Sequence, residues 1–237
     1  MFLAILLWLL VFVEGGTSPV AAVWGLASLE LSKHTFTTLE IWTVSAASYV
    51  LHGCLLEWIP GKMLQSNGRP LSLDRMMPVV LLNFMSTLVL TMVPLSTEHV
   101  LTTQEVCTCL VVAGLGNEFI YAPVHRMLHT RRLYRFHHTH HLQRAPRALG
   151  AIYCSLVEMW VANLSSFLIP LYMMNASSAV YLIWIVSGIQ TTQLHHSGKR
   201  YFWCLGNQPK FHDDHHRYVS KNYGNLGILE SLLHTAP

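Results

Sequence analysis

The chain is expected to fold as an all-α, integral membrane helical bundle that carries a cytosolic, histidine-rich metal-binding cap. Three features lead there. Of its 237 residues, 52% are hydrophobic and only 11% are charged, against about 25% charged in an ordinary soluble domain. Lipid rather than water is therefore the expected surrounding, and in lipid the backbone must satisfy its own hydrogen bonds, which favours helices over open sheets. The histidines, finally, are clustered at helical spacing: the stretch HRMLHTRRLYRFHHTHH at 125–141 holds six of the 15.

The elements follow in chain order. The apolar run at residues 1–13 stops at Glu14-Gly15-Gly16; it is short for a crossing, which takes about 20 residues, and lacks the basic start of a secretory leader. With the apolar residues 18–29 it makes either one broken span or a hairpin around the two glycines. Residues 41–59 form a span candidate that Pro60-Gly61 ends. Residues 61–75 read as a loop, with Asn67-Gly68 and Pro70 as turn signals and Lys62, Arg69 and Arg75 as its charges. Residues 76–96 carry no charge and are the clearest span, and residues 106–124 are charged only at Glu118. The apolar region 155–190 is interrupted at Pro170 and at Asn175. Each half suits a hairpin that dips into the bilayer and returns better than two full crossings.

Charge sets the orientation. Basic residues load 61–75 and 125–147 while the link 97–104 has none, so both basic segments are expected in the cytosol and the link on the far side. The hairpin then returns His195, His196 and the FHDDHH cluster at 211–216 to the face of the first clusters. A single shared site requires that outcome. The net charge of +3 is modest, and the basic residues accompany the histidines instead of forming a separate patch, so no nucleic-acid partner is expected. The five cysteines, Cys54, Cys107, Cys109, Cys154 and Cys204, form no CxxC pair and read as reduced packing residues.

The clusters carry the chemistry. His125 and His129 are four apart and share one helical face. His137, His140 and His141 make a tight i, i+3, i+4 triangle, and His212, His215 and His216 repeat it. Neutral imidazole is the commonest ligand for iron, zinc, copper or nickel; the plainer readings are surface polarity or a structural zinc site. His34, His52, His99 and His234 stand alone and are expected to be ordinary polar residues. His138 points about 100° away from His137 on a helix, toward either the surface or a supporting contact behind the ligands. Glu118 and Tyr121, seven and four residues before His125, share its face. An acid within a membrane helix faces a partner or a cavity, so Glu118 either supports the metal or makes an interhelical hydrogen bond; Pro123 could kink the helix between them. Asp213 and Asp214 could orient ligand imidazoles through their second nitrogen, or be solvated. Arg126, Arg131, Arg132 and Arg135 are placed at the lipid headgroups, to hold anionic lipid or to dock an acidic electron donor.

In its order of H-x3-H at 125–129, H-x2-HH at 137–141, a histidine before Ser-Gly at 196–198 and H-x2-HH at 212–216, the chain resembles the fatty acid hydroxylase/sterol desaturase superfamily. The resemblance divides it into N-terminal membrane helices and loops at 1–104 and a fatty acid hydroxylase-like catalytic region at 105–237. It implies that His125, His129, His137, His140, His141, His196, His212, His215 and His216 hold two iron ions, with zinc able to occupy the site, O2 as co-substrate and His195 as the alternate for His196. It further implies cytochrome b5 and its reductase, or an equivalent donor, as partners, a membrane lipid as substrate, and the endoplasmic reticulum as location in a eukaryote. Asn222-Tyr223-Gly224 and LESLLHT at 229–235 also resemble the family's closing segments. The chain departs from the pattern at Ser155-Leu156, where many members carry His-Pro before an acid, here Glu158, and at His234, where Gly is usual. GAIY at 150–153 with Glu158 is similar to sphingoid-base hydroxylases, and His-Ser-Gly to sterol methyl oxidases and sterol hydroxylases.

An unactivated lipid C–H bond offers no charge for acid/base residues to polarise, whereas O2 activated at iron can oxidise it. The expected function is thus hydroxylation of a fatty acyl, sphingoid or sterol substrate. Sterol desaturation or C-4 methyl oxidation is the alternative, and a non-redox membrane protein with structural zinc the alternative of a different class.

Overall fold

The computed structural model describes residues 31, 33–95, 102–201 and 208–232. The apolar runs at 1–29, the link at 97–101, Cys204 and the last five residues lie outside them.

Four helices among the described residues are long and apolar enough to cross a membrane: α1 (Thr38–Trp58), α2 (Leu73–Ser86, continued to Met92 by a 3-10 segment), α3 (Thr103–Leu128) and α5 (Leu156–Met173). Their starts are written locally. Thr37 with Glu40, and Thr102 with Glu105, close capping boxes in which hydroxyl and carboxylate satisfy otherwise orphaned N–H groups. Their outer faces stay apolar and open, as at Val50, Leu51, Leu81, Leu82, Val111 and Phe119, the arrangement that a lipid surround stabilises. Between them come the short cap helix α4 (Tyr134–His141), then α6 (Ser178–His195), α7 (Gln208–Tyr218) and α8 (Ile228–Leu232).

Helix α6 is the axle. Twelve of its 18 residues are buried, and it packs lengthwise on α1. Gly53 permits the approach, since a Cβ there would lie 2.6 Å from both Gln193 Nε2 and Leu149 Cδ2. Gln193 fastens the pair: its amide donates to the Tyr49 carbonyl (2.7 Å) and its Oε1 meets His52 Nδ1 at 2.8 Å. His52 is thus a satisfied polar residue, as expected of a lone histidine. The bundle core joins Ile41, Val106, Ala113, Leu171, Val180 and Val186.

The 155–190 region does form a helical hairpin, broken at one of the two places expected and not at the other. Pro170 stays inside α5; the turn comes at Asn175, which holds a left-handed conformation (φ 49°), before Ser177 caps α6. The proline ring packs on Gly116 of α3, where a Cβ would come within 2.7 Å, and a π-helical segment precedes it at Met159–Leu164. The first half of the hairpin is also long enough to cross by itself. Pro123 does not interrupt α3, which runs unbroken past it to Leu128.

The histidine-bearing ends of α3, α6 and α7 meet at one end of the bundle, together with α4. Two short strands, β1 (Lys62–Met63) and β2 (Lys199–Arg200), pair antiparallel there. Lys199 Nζ donates to the final carbonyls of α1 at Leu56, Glu57 and Ile59, a cation at a helix C-terminus. Arg147 makes a two-pronged pair with Glu57, 3.0 Å on each prong. The basic segments 61–75 and 125–147 therefore share one end of the molecule.

Candidate metal centre

Nine imidazoles converge in the cap, in two groups whose donor nitrogens lie within 4.8 Å of one another: His125, His129, His137, His141 and His215 in one; His140, His196, His212 and His216 in the other. They arrive from four helices. Helix α3 brings His125 and leaves His129 at its end, α4 brings His137, His140 and His141, α7 brings His212, His215 and His216, and His196 follows the last turn of α6. Each i, i+3, i+4 set divides between the groups, so α4 and α7 both serve the two. His195 is buried but belongs to neither group, and His138 is exposed.

The inward nitrogens are close. Nε2 to Nε2 distances are 2.9 Å for His125 and His137, 3.1 Å for His215 and His141, 2.9 Å for His212 and His196, and 3.0 Å for His216 and His212. The outward nitrogens settle the tautomers of three rings. Nδ1–H donates to the Tyr223 carbonyl from His125 (2.7 Å), to the Lys221 carbonyl from His215 (2.6 Å) and to the Thr192 carbonyl from His196 (2.8 Å). A proton on Nδ1 leaves Nε2 a bare lone pair. Protonation does not relieve the crowding. Burial, reinforced by neighbouring imidazoles, holds His140, His212 and His216 well below the usual histidine range; burial with the approach of His215 brings His129 down to about 3. Neutral lone pairs packed this closely repel one another, and a shared cation between them turns that repulsion into ligation. The residues thus fit a pair of metal ions. An all-imidazole donor set is compatible with iron or zinc alike.

Glu158 supplies a buried carboxyl group that sequence reasoning did not assign to the site. It is buried, with Oε1 2.9 Å from His137 Nδ1 and 3.9 Å from His140 Nδ1, one ring in each group. Ser155 positions it. The Ser155 hydroxyl accepts from the Glu158 N–H (3.1 Å) and donates to the Phe136 carbonyl (2.5 Å), tying the start of α5 to α4. An acid shortly after Ser155 was the only visible signal, and no local spacing linked it to histidines some twenty residues earlier.

The other residues expected near the centre make the following contacts. Glu118 touches backbone: its carboxylate accepts from the N–H groups of Asn225, Leu226, Ile228 and Leu229, at 2.8 to 3.4 Å. It anchors the loop whose Tyr223 carbonyl holds His125. Gly224 leaves room there: a Cβ would lie 2.5 Å from Glu118 Oε1 and would make that carboxylate shift. Tyr121 stacks at a tilt on His125, ring centres 4.9 Å apart. Asp213 accepts from Gln65 Nε2 (3.0 Å), burial raising its carboxyl, and Asp214 pairs with Lys210. Arg126, Arg131, Arg132 and Arg135 are all exposed around the cap.

A cavity of about 420 Å³ runs from this centre into the bundle. Its inner end meets His140, His196 and His212, so only the four-histidine group borders it; its outer end reaches Thr38, Leu95 and Tyr172. Along α6 it extends from Thr192 to Tyr181, about 16 Å at 1.5 Å per residue. That is close to the ~15 Å depth of one leaflet's hydrocarbon.

A family model described as fatty acid hydroxylase matches residues 110–235. Among curated proteins, the chain is similar to fatty acid hydroxylase ahd1 of Mycosarcoma maydis, 29% identical over 54% of this chain and 32% of that protein. It is also similar to human fatty acid hydroxylase domain-containing protein 2, 28% identical over 52% and 37%. Methylsterol monooxygenase erg25A of Aspergillus fumigatus is 33% identical over 43% and 37%. The chain spans about a third of the length of these relatives. No solved structure gives a significant match.

Proposed function

The chain belongs to the fatty acid hydroxylase family, and from that premise we propose that it is an integral membrane, O2-dependent lipid hydroxylase built around a di-iron centre. The observation that carries this reading is the junction of nine imidazoles with an apolar, acyl-sized cavity that ends on three of them. Iron bound there supplies the O2 activation that an unactivated C–H bond requires. One oxygen atom enters the C–H bond and the other leaves as water, with two electrons and two protons taken from outside.

The chain's own residues do the rest. His125, His129, His137, His141 and His215 hold one ion, and His140, His196, His212 and His216 the other. The carbonyls of Tyr223, Lys221 and Thr192 keep three of these rings turned inward, and the Glu158 carboxyl reaches the outer nitrogen of one ring in each group. The cavity admits the lipid from the bilayer and excludes bulk water, so the reacting bond meets the four-histidine group alone. The exposed arginines 126, 131, 132 and 135 offer an acidic electron carrier a docking face; cytochrome b5 with its reductase, or an equivalent, fits that chemistry. This face is assigned to the cytosol by its basic loops, and in a eukaryotic cell to the endoplasmic reticulum.

Sterol methyl oxidation is the second reading, favoured by the similarity to methylsterol monooxygenases. The test is O2 uptake by the purified, iron-loaded chain in lipid with a reducing system. Uptake that needs both lipid and reductant, and that vanishes in a His140→Ala, His141→Ala double variant, is the expected result. Equal uptake by both proteins overturns the reading.

A further inference from the structure

Beside the histidines, polar side chains line the apolar cavity, and two of them, on turns next to His125 and to Glu158, have hydrogen-bonding capacity that no nitrogen or oxygen meets among the described residues. Tyr121 lies on α3 one turn before His125, and its hydroxyl makes no hydrogen bond among the described residues. Asn163 lies in the π-helical segment of α5; its amide nitrogen reaches only Cys154 Sγ (3.7 Å) and Met159 Sδ (4.0 Å), and its Oδ1 has no partner among the described residues. Both line the cavity. They enter from adjacent helices, since Tyr121 packs against Ala162, the residue before Asn163. A π-turn shifts the helical register and is often found at functional positions; here it falls at Asn163.

We propose that Tyr121 and Asn163 form the specificity-determining contact for the substrate, binding an oxygen function, a hydroxyl or carbonyl, within a few carbon atoms of the C–H bond to be oxidised. The reasoning is one of satisfaction. A phenol and an amide facing an apolar chain remain desolvated and unpaired, whereas a substrate oxygen accepts from one or donates to the other. Toward the outer end, the hydroxyls of Thr38, Thr87 and Thr91 are already bonded within the protein. The phenol of Tyr172 there is 78% exposed and needs no ligand. Two further hydroxyls lining the cavity are unpaired among the described residues but stand away from the metal centre. Ser45 lies one helical turn beyond Ser48, which meets Gln190 six residues before His196, and Tyr181 lies lower still on α6, whereas Tyr121 is one turn from His125. The polar end of the lipid therefore lies at the metal centre, and its hydrocarbon tail fills the ~16 Å below.

This inference rests on the lipid hydroxylase reading, and its test separates the two. The zinc-loaded, catalytically silent full chain is titrated with radiolabelled 1-hexadecanol and with hexadecane. The intact chain should bind the alcohol several-fold more tightly. Tyr121→Phe and Asn163→Leu should each reduce that preference about three- to tenfold, at unchanged metal content, which shows that the variants fold. Equal binding of alcohol and alkane by the intact chain overturns the inference. So does an alcohol preference that both variants retain. If, in addition, iron-loaded protein oxidises lipid at the methyl end, this contact falls while the hydroxylase reading stands. Preference for the alcohol without any lipid oxidation does the opposite, removing the hydroxylase reading and keeping the contact.

Discussion

The Glu158 carboxylate lies 2.9 Å from Nδ1 of His137 and within 4 Å of Nδ1 of His140, so one buried acid spans both imidazole groups. Glu158→Gln is nearly isosteric and replaces one carboxyl oxygen beside the rings with an amide nitrogen. Loss of such an outer partner typically costs 10- to 100-fold in metal affinity, and a competition titration with a chelator should find that range for both ions. Unchanged affinity would show that the carboxylate does not hold the rings.

Glu118 satisfies four backbone N–H groups of the segment that carries Tyr223. Glu118→Ala leaves them unpaired and should destabilise the chain by about 3 kcal/mol, with Glu118→Gln intermediate. Thermal melts in detergent would measure both. A Glu118→Ala melt at the parental temperature would deny the anchor.

Gly224 sits against Glu118 and Glu230. Gly224→Ala forces both carboxylates to move, and overpacking of this kind costs about 1–3 kcal/mol. Because Tyr223 precedes it, the variant should also weaken the five-histidine group before the four-histidine group. Metal content after dialysis would show one ion lost ahead of the other; equal loss would separate Gly224 from that group.

The two groups should be separable by mutation. His212→Ala removes a nitrogen from the four-histidine group only, and should lower bound metal from about two ions toward one; His138→Ala, on an exposed ring, should change nothing. Chelation should lower the melting temperature of the parental chain, since an ion bound to the folded state alone stabilises it by mass action.

What the sequence made legible was local. The i, i+3, i+4 spacing of His137, His140 and His141 and of His212, His215 and His216 singled out rings that the structure gathers, because helical periodicity is a short-range property. The apolar runs likewise located α1, α2 and α3 to within a few residues at most ends. The remaining features depend on what folds back. Glu158 reaches His137 only once Ser155 binds the Phe136 carbonyl. The carbonyls of Tyr223, Lys221 and Thr192 carry no side-chain signature at all. Pro170 suggested a break because proline removes a backbone donor, but Gly116 of α3 leaves room for its ring. The choice between His195 and His196 depended on how the end of α6 turns, which spacing does not determine.

The most direct test of the central claim is mass spectrometry of the lipids of a host expressing this chain beside its His140→Ala, His141→Ala variant. A lipid that gains one oxygen atom only with the intact chain is the predicted result, and its fragmentation would locate the oxidised carbon. Identical lipids from the two, with both proteins present in the membrane and an electron donor supplied, would contradict it.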